Sequence, residues 1–182
     1  MSAIATPPVH DGPVIHVRAT RDGSPLGAAT TMRIDRPIAA VWAVLSDTER
    51  FAARLPMVDR ARRRGDTVDF DLKFRVGFFS AGFQFSADAT YQEPSPPGVG
   101  VGDGGAWLEL RWISGEPRAV KFRFALTPID AGACLVQADA EFDVQSLGWL
   151  VKYFLKHHPE IQHGIFPGVS LVLVDTLRRA VA

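Results

Sequence analysis

Between Val68 and Phe78, apolar and charged residues take turns. Val68, Phe70, Leu72, Phe74, Val76 and Phe78 fall on one side, and Asp69, Asp71, Lys73 and Arg75 on the other. A period of two marks a strand with one buried and one wet face. Gly77 to Gly82 reads as a turn or bulge. After it Phe83, Phe85, Ala87, Ala89 and Tyr91 alternate with Gln84, Ser86, Asp88 and Thr90. The pattern returns three more times. Ala106, Leu108, Leu110 and Trp112 share a face; so do Val120, Phe122, Phe124 and Leu126; so do Cys134, Val136, Ala138, Ala140, Phe142 and Val144. Ser114-Gly115-Glu116-Pro117 and Asp130-Ala131-Gly132 are turn sequences between them, which predicts an antiparallel meander.

The period changes at both ends of this series. A strand ends at Ile34, and Pro37 opens a short helix with Val41, Trp42 and Leu45 on its apolar side. Asp47 breaks that helix, and a second short helix runs up to Leu55-Pro56. Beyond the last strand, Leu147, Leu150, Val151, Phe154 and Leu155 recur at helical spacing, followed by Val169, Val172, Leu173, Thr176 and Leu177. Pro159 and Pro167-Gly168 are expected to interrupt or kink this terminal helix. The predicted class is α+β: a curved antiparallel sheet wrapped around a long C-terminal helix, with two short helices after the first strand.

Residues 1–25, rich in Pro, Gly and isolated charges, read as a loosely ordered arm with at most one edge strand. Residues 26–182 read as one domain, a length that supports a substantial core. Residues 93–105 hold three prolines and five glycines, so a long loop is expected there. The net charge of +0 excludes the basic excess of a dedicated nucleic-acid binder. A single cysteine, Cys134, allows no internal disulfide and fits a reducing compartment. The chain shows no secretory pattern at its start, and its most apolar C-terminal run falls far short of the ~20 residues that span a bilayer. A soluble, cytoplasmic protein is expected.

The inner strand faces carry almost no chemistry beyond apolar contact. Acid–base catalysis needs titratable groups that converge on a substrate, and the phenol of Tyr91 is the one such group predicted to face inward. The alternatives are a pocket for an apolar ligand and a core filled by these side chains. His157, His158 and His163 lack the i, i+4 spacing of helical metal ligands, so no metal site is predicted. His158 continues the stripe of Leu147, Val151 and Phe154, and is the histidine expected to reach inward. Arg60, Arg62, Arg63 and Arg64 suit either a transient contact with an anionic membrane surface or a solvated edge that blocks strand pairing. Cys134 reads as a small buried hydrophobe. Glu109, Arg111, Glu141 and Asp143 are predicted to point outward, although a one-residue slip would bring them in.

This order of elements resembles the SRPBCC superfamily, which includes START-type lipid-transfer domains, polyketide cyclases and aromatases, and coenzyme-Q-binding proteins. Pro37, Val41, Trp42, Leu45, Asp47, Phe51, Leu55 and Pro56, with the strand series and the terminal helix, carry the likeness across residues 26–182. The resemblance implies a helix-grip fold with an apolar cavity between sheet and helix, and no cofactor. Ligand-contacting residues would be Trp42, Phe70, Phe74, Phe85, Tyr91, Leu110, Trp112, Phe122, Phe124, Phe142, Phe154 and His158. The function so implied is binding or transport of a hydrophobic small molecule (a lipid, quinone, sterol-like or polyketide-like compound). A cyclase or aromatase using Tyr91 and His158 is the alternative, and a module with a filled core is the third. The 93–105 loop and the Pro167-Gly168 break would gate the cavity. Family members carry one uninterrupted terminal helix, and the prolines here depart from that pattern.

Overall fold

A computed structural model describes residues 12–76, 79–95 and 104–182; the side chains at 74–76, 79–80, 149–150, 154 and 159 are not described. Its eight strands form one antiparallel sheet. They are β1 (Val14–Ala19), β2 (Pro25–Ile34), β3 (Val58–Arg64), β4 (Thr67–Val76), β5 (Phe79–Gln92), β6 (Ala106–Gly115), β7 (Arg118–Pro128) and β8 (Cys134–Asp143). The order across the sheet is β1-β2-β8-β7-β6-β5-β4-β3. Strands β3 to β8 are therefore the meander that the short turns predict. The expected edge strand before residue 25 is β1, which pairs with β2 from Val14–Thr31 to Ala19–Pro25.

Alternation sets which face is buried. Val68 and Phe70 of β4, Phe83, Phe85, Ala87 and Ala89 of β5, and Val136, Ala138 and Ala140 of β8 are all buried, while their neighbours in sequence are more exposed. The turn expected over Gly77 to Gly82 is shorter than that, because β5 already pairs with β4 at Phe79–Val76 and Gly82–Lys73. Residues 77–78 lie outside the described chain.

Two short helices cross the inner face after β2. They are α1 (Ile38–Ser46), which buries Val41, Trp42 and Leu45, and α2 (Thr48–Ala52), which buries Thr48, Phe51 and Ala52. Asp47 separates them with φ −79° and ψ 69°, and its carboxylate accepts the Arg50 backbone N–H at 3.1 Å. That cap satisfies one of the orphan donors of α2, which explains why an aspartate both ends one helix and starts the next.

The terminal helix is divided once. Helix α3 (Gly148–His157) gives way to a 3₁₀ turn at Pro159–Ile161, and α4 (Gln162–Val181) follows. The break at Pro159 matches the expectation; at Pro167-Gly168 the helix is not interrupted, since α4 runs through Pro167. Proline there deprives only the carbonyl of His163 of its helical donor, and His163 is exposed, so water can serve that carbonyl. Helix α4 buries Phe166, Ser170, Leu173, Val174 and Leu177 against β2 and β8. Ser170 Oγ and Thr30 Oγ1 of β2, both fully buried, lie 2.8 Å apart.

Candidate ligand cavity

The concave side of the sheet, α2 and α4 enclose a cavity of about 110 Å³; counted out to its mouth, solvent included, the cleft reaches about 860 Å³. The sheet supplies Phe70, Phe85, Leu108, Leu110, Phe122 and Phe124. From the α2 side come Thr48, Phe51, Ala52 and Leu55, and from the terminal helices and their approach Phe142, Leu147, Ile165, Val169 and Leu173. Among the described residues no lining side chain is ionisable, and Thr48 is the one polar residue.

Aromatic pairs stiffen these walls. Phe70 and Phe85 are cross-strand partners with rings stacked at 4.8 Å and 13°. Phe51 meets Phe124 edge-on at 5.6 Å and 86°, tying α2 to β7. Phe142 lies 4.9 Å from Phe166 of α4. Each geometry is one that the ring quadrupole favours. An engineered apolar cavity of about 150 Å³ holds a benzene molecule, so the enclosed space, at about 110 Å³, is somewhat smaller than one known to take a ring.

The structure brings together half of the residues expected to touch a ligand: Phe70, Phe85, Leu110, Phe122, Phe124 and Phe142. Trp42 is buried in the main core beside the cavity, without lining it. Tyr91 keeps the inward phase of β5 but stands past the cover of the helices, 47% exposed. Its ring is 6.1 Å from that of Trp42, with the Arg63 guanidinium 5.8 Å over its face. Trp112 is also exposed, at 37%. It lies just beyond Arg111–Lys121, where the β6–β7 pairing ends, and beside the irregularity opposite Ser86 and Ala87. His158 points to solvent and pairs with Glu160 at 3.2 Å, because α3 has ended at His157 and its stripe goes no further. The side chains of Phe74 and Phe154 and most of the loop expected as a gate, 96–103, lie outside the described residues. Neither Pro167 nor Gly168 lines the cavity.

The pair of polar groups that a cyclase would have used, Tyr91 and His158, is thus not assembled in the cavity. His157 Nδ1 lies 2.8 Å from the Tyr153 carbonyl oxygen, and among the described residues no group of His, Cys, Asp and Glu is placed to hold a metal ion. Cys134 is fully buried in the core, and burial pushes its thiol up to about 11. Glu109 does point outward, yet it is only 5% exposed because Arg111, Lys121 and Arg123 cover it. No helix of the described residues is long and apolar enough to cross a membrane.

Phe51, Leu55, Leu147, Val169 and Leu173 were not among the residues expected at the cavity, although their helical stripes are plain in the sequence. The missing information was which side of each stripe meets the sheet. Thr48 gave no signal at all, since a threonine in a first helical turn ordinarily faces water or a cap.

Residues 31–106 match the CoxG family model, described as a subunit of carbon monoxide dehydrogenase. Among solved structures, the chain is similar to the lipid transfer and protein localization domain of human StarD13, at 13% identity over 94% of this chain and 85% of that one, with a TM-score of 0.61. It is similar to a STAR-related lipid transfer protein from Xanthomonas axonopodis at 17% identity, 94% of both chains and a TM-score of 0.59. A START superfamily protein from Mycobacterium smegmatis aligns at 15% identity over 84% of this chain and 94% of its own, with a TM-score of 0.55. No curated protein matches the chain by sequence.

Proposed function

We propose that this chain, which has the START-type helix-grip fold of the SRPBCC resemblance, binds and carries a hydrophobic small molecule in the cavity between its sheet and α4. The observation behind this reading is the wall itself: stacked and edge-on phenylalanines with aliphatic neighbours, around free space, with no ionisable group among the described residues. Every 100 Å² of apolar ligand surface removed from water there contributes about 2.5 kcal/mol before the costs of ordering. The wording "lipid transfer" in the names of two similar structures agrees with it. The ligand class is a lipid, quinone, sterol-like or polyketide-like compound, and Phe70, Phe85, Leu110, Phe122, Phe124 and Phe142 are the proposed contacts.

In this reading residues 26–182 act as one cytoplasmic binding domain. Nucleic acid is no partner, given the neutral overall charge. The basic edge of β3, with Arg60, Arg62 and Arg64 exposed, makes at most a transient contact with an anionic membrane during loading.

Native mass spectrometry of protein isolated with its co-purifying lipids tests the proposal, alongside thermal shifts with quinones, fatty acids and sterols. A bound mass, or a rise in Tm with one ligand class, is expected. Val169→Phe, which fills the cavity from α4, is expected to abolish both. An empty protein that responds to none of the three classes would overturn it.

A further inference from the structure

The two edges of the sheet are guarded very differently. At one edge β3 carries Arg60, Arg62, Arg63 and Arg64, a row of charge that discourages further strands. At the other edge β1 reads Val-Ile-His-Val-Arg-Ala, with no lysine, carboxylate or proline. Its one cation, Arg18, reaches back across β2 to within 3.4 Å of both Asp139 and Glu141 of β8. On its far side β1 meets no other strand among the described residues. Every second residue there turns an N–H and a C=O away from the sheet. Apolar side chains crowd the same edge. Ile15 stands opposite Thr30 and Val17 opposite Ala28, both fully buried, so pairing places Ile15 and Val17 on the inner face. They are nevertheless 38% and 49% exposed, and Leu26, in the same phase of β2, is 49% exposed.

We infer that β1 is an association edge and that its occupant is a second copy of this chain, joined β1 to β1, antiparallel, about a two-fold axis at His16. Charge selects the occupant first. With Arg18 compensated by its own β8 carboxylates, the edge is neutral, so a strongly acidic or basic partner finds nothing to complement. An identical neutral strand does. Register then makes the edge complementary to itself. Both copies must turn their inner faces the same way, so odd-numbered residues oppose odd and even oppose even. The regular pairing of β1 with β2 runs from Val14 to Arg18 and shifts at Ala19. His16 is the midpoint of that regular stretch. Pairing about it overlaps the whole stretch and sets Ile15 of each copy opposite Val17 of the other. The two exposed apolar positions thereby cover each other on both sides of the axis. An axis at Val17 would instead spend Ile15 on Ala19, where the ladder is irregular. The resulting dimer is one continuous sheet with both cavities on the same face. A ladder this short makes a small interface, so the association is reversible and weak among specific contacts.

Sedimentation velocity of the full chain over a hundredfold range of concentration tests the inference, with unfolding curves to show that each variant is folded. Wild type is expected to shift from monomer toward dimer as concentration rises. V17K, which sets a charged side chain from each copy into the apolar strip, should weaken association at least about tenfold. A second arm reads the register and does not depend on V17K. Under mild oxidation H16C should form an intermolecular disulfide, because directly opposed residues of antiparallel strands have Cβ atoms about 5 Å apart. V14C should not, since its two copies would lie about 13 Å apart along the strands. A chain that stays monomeric at every concentration, its edge covered by residues before Gly12 or reserved for another protein, would overturn the inference. So would a dimer that V17K leaves intact, or V14C linking as readily as H16C.

Discussion

Ser170 Oγ and Thr30 Oγ1 lie 2.8 Å apart in the centre of the core, and Ser170 also donates to the Pro167 carbonyl at 3.2 Å. Ser170 has one proton to give, so Thr30 is the donor to Ser170, and the three groups form a short chain from β2 into α4. This chain fixes the height of α4 on the sheet, and with it the depth of the cavity floor that Val169 and Leu173 provide.

Ser170→Ala leaves the Thr30 hydroxyl bare in a dry core. A loss of about 1–3 kcal/mol in urea unfolding is expected. The double variant Thr30→Val with Ser170→Ala should cost less than the two single changes added together, since no orphan remains. Additive losses would show that the contact is incidental.

Cys134 carries a pH dependence. Burial pushes its thiol up to about 11, so the folded chain holds that proton at a pH where the unfolded chain has released it. The stability it contributes is complete below the unfolded value near 9 and is lost as pH rises toward 11. Other groups titrate there too, so the measurement is a comparison: the stability difference between wild type and Cys134→Ala, taken at pH 8 and at pH 10. It should shrink at the higher pH. The same burial should keep the thiol unreactive toward a disulfide reagent until the chain unfolds.

Glu109 sits opposite Arg123 on the outer face of the sheet, bonded to Arg111, with Lys121 Nζ and Arg123 each 4.0 Å away. Glu109→Ala removes the one anion these cations share. They are themselves half exposed and can rehydrate, so the cost is nearer about 1–2 kcal/mol than the 3–5 of a fully buried pair. Repulsion is screened by salt, so the deficit of the variant should narrow between low and high ionic strength in thermal melts. A deficit that salt does not change would point to packing instead of charge.

The strand faces were legible because alternation is a property of consecutive residues. It placed Phe70, Phe85, Leu110, Phe122 and Phe124 on one surface before any pairing was known. Alternation says nothing about where the helices stop covering that surface. Tyr91 and Trp112 have the right phase and the wrong latitude, and so they are exposed. His158 failed for a related reason: the stripe it continued was cut one residue earlier, ahead of Pro159. Pro167 shows the opposite error, a residue whose local cost is small where the carbonyl it strands already faces water. Thr48 was out of reach, since only three-dimensional neighbours decide that a threonine in a first helical turn is buried beside the cavity.

The order of strands also bears on how the chain reaches this state. Ala28 of β2 pairs with Ala140 of β8, so a strand made early completes its ladder with the strand made last. Until then β2 has β1 on one side only, and α1 waits for α4, the terminal helix it packs against. Contacts so distant in sequence slow the search for the native state and leave sticky surface open while it proceeds. A nascent chain halted before β8 would present two unjoined pieces of sheet, β1-β2 and β3 to β7, with unpaired edges open to chaperones and to aggregation alike.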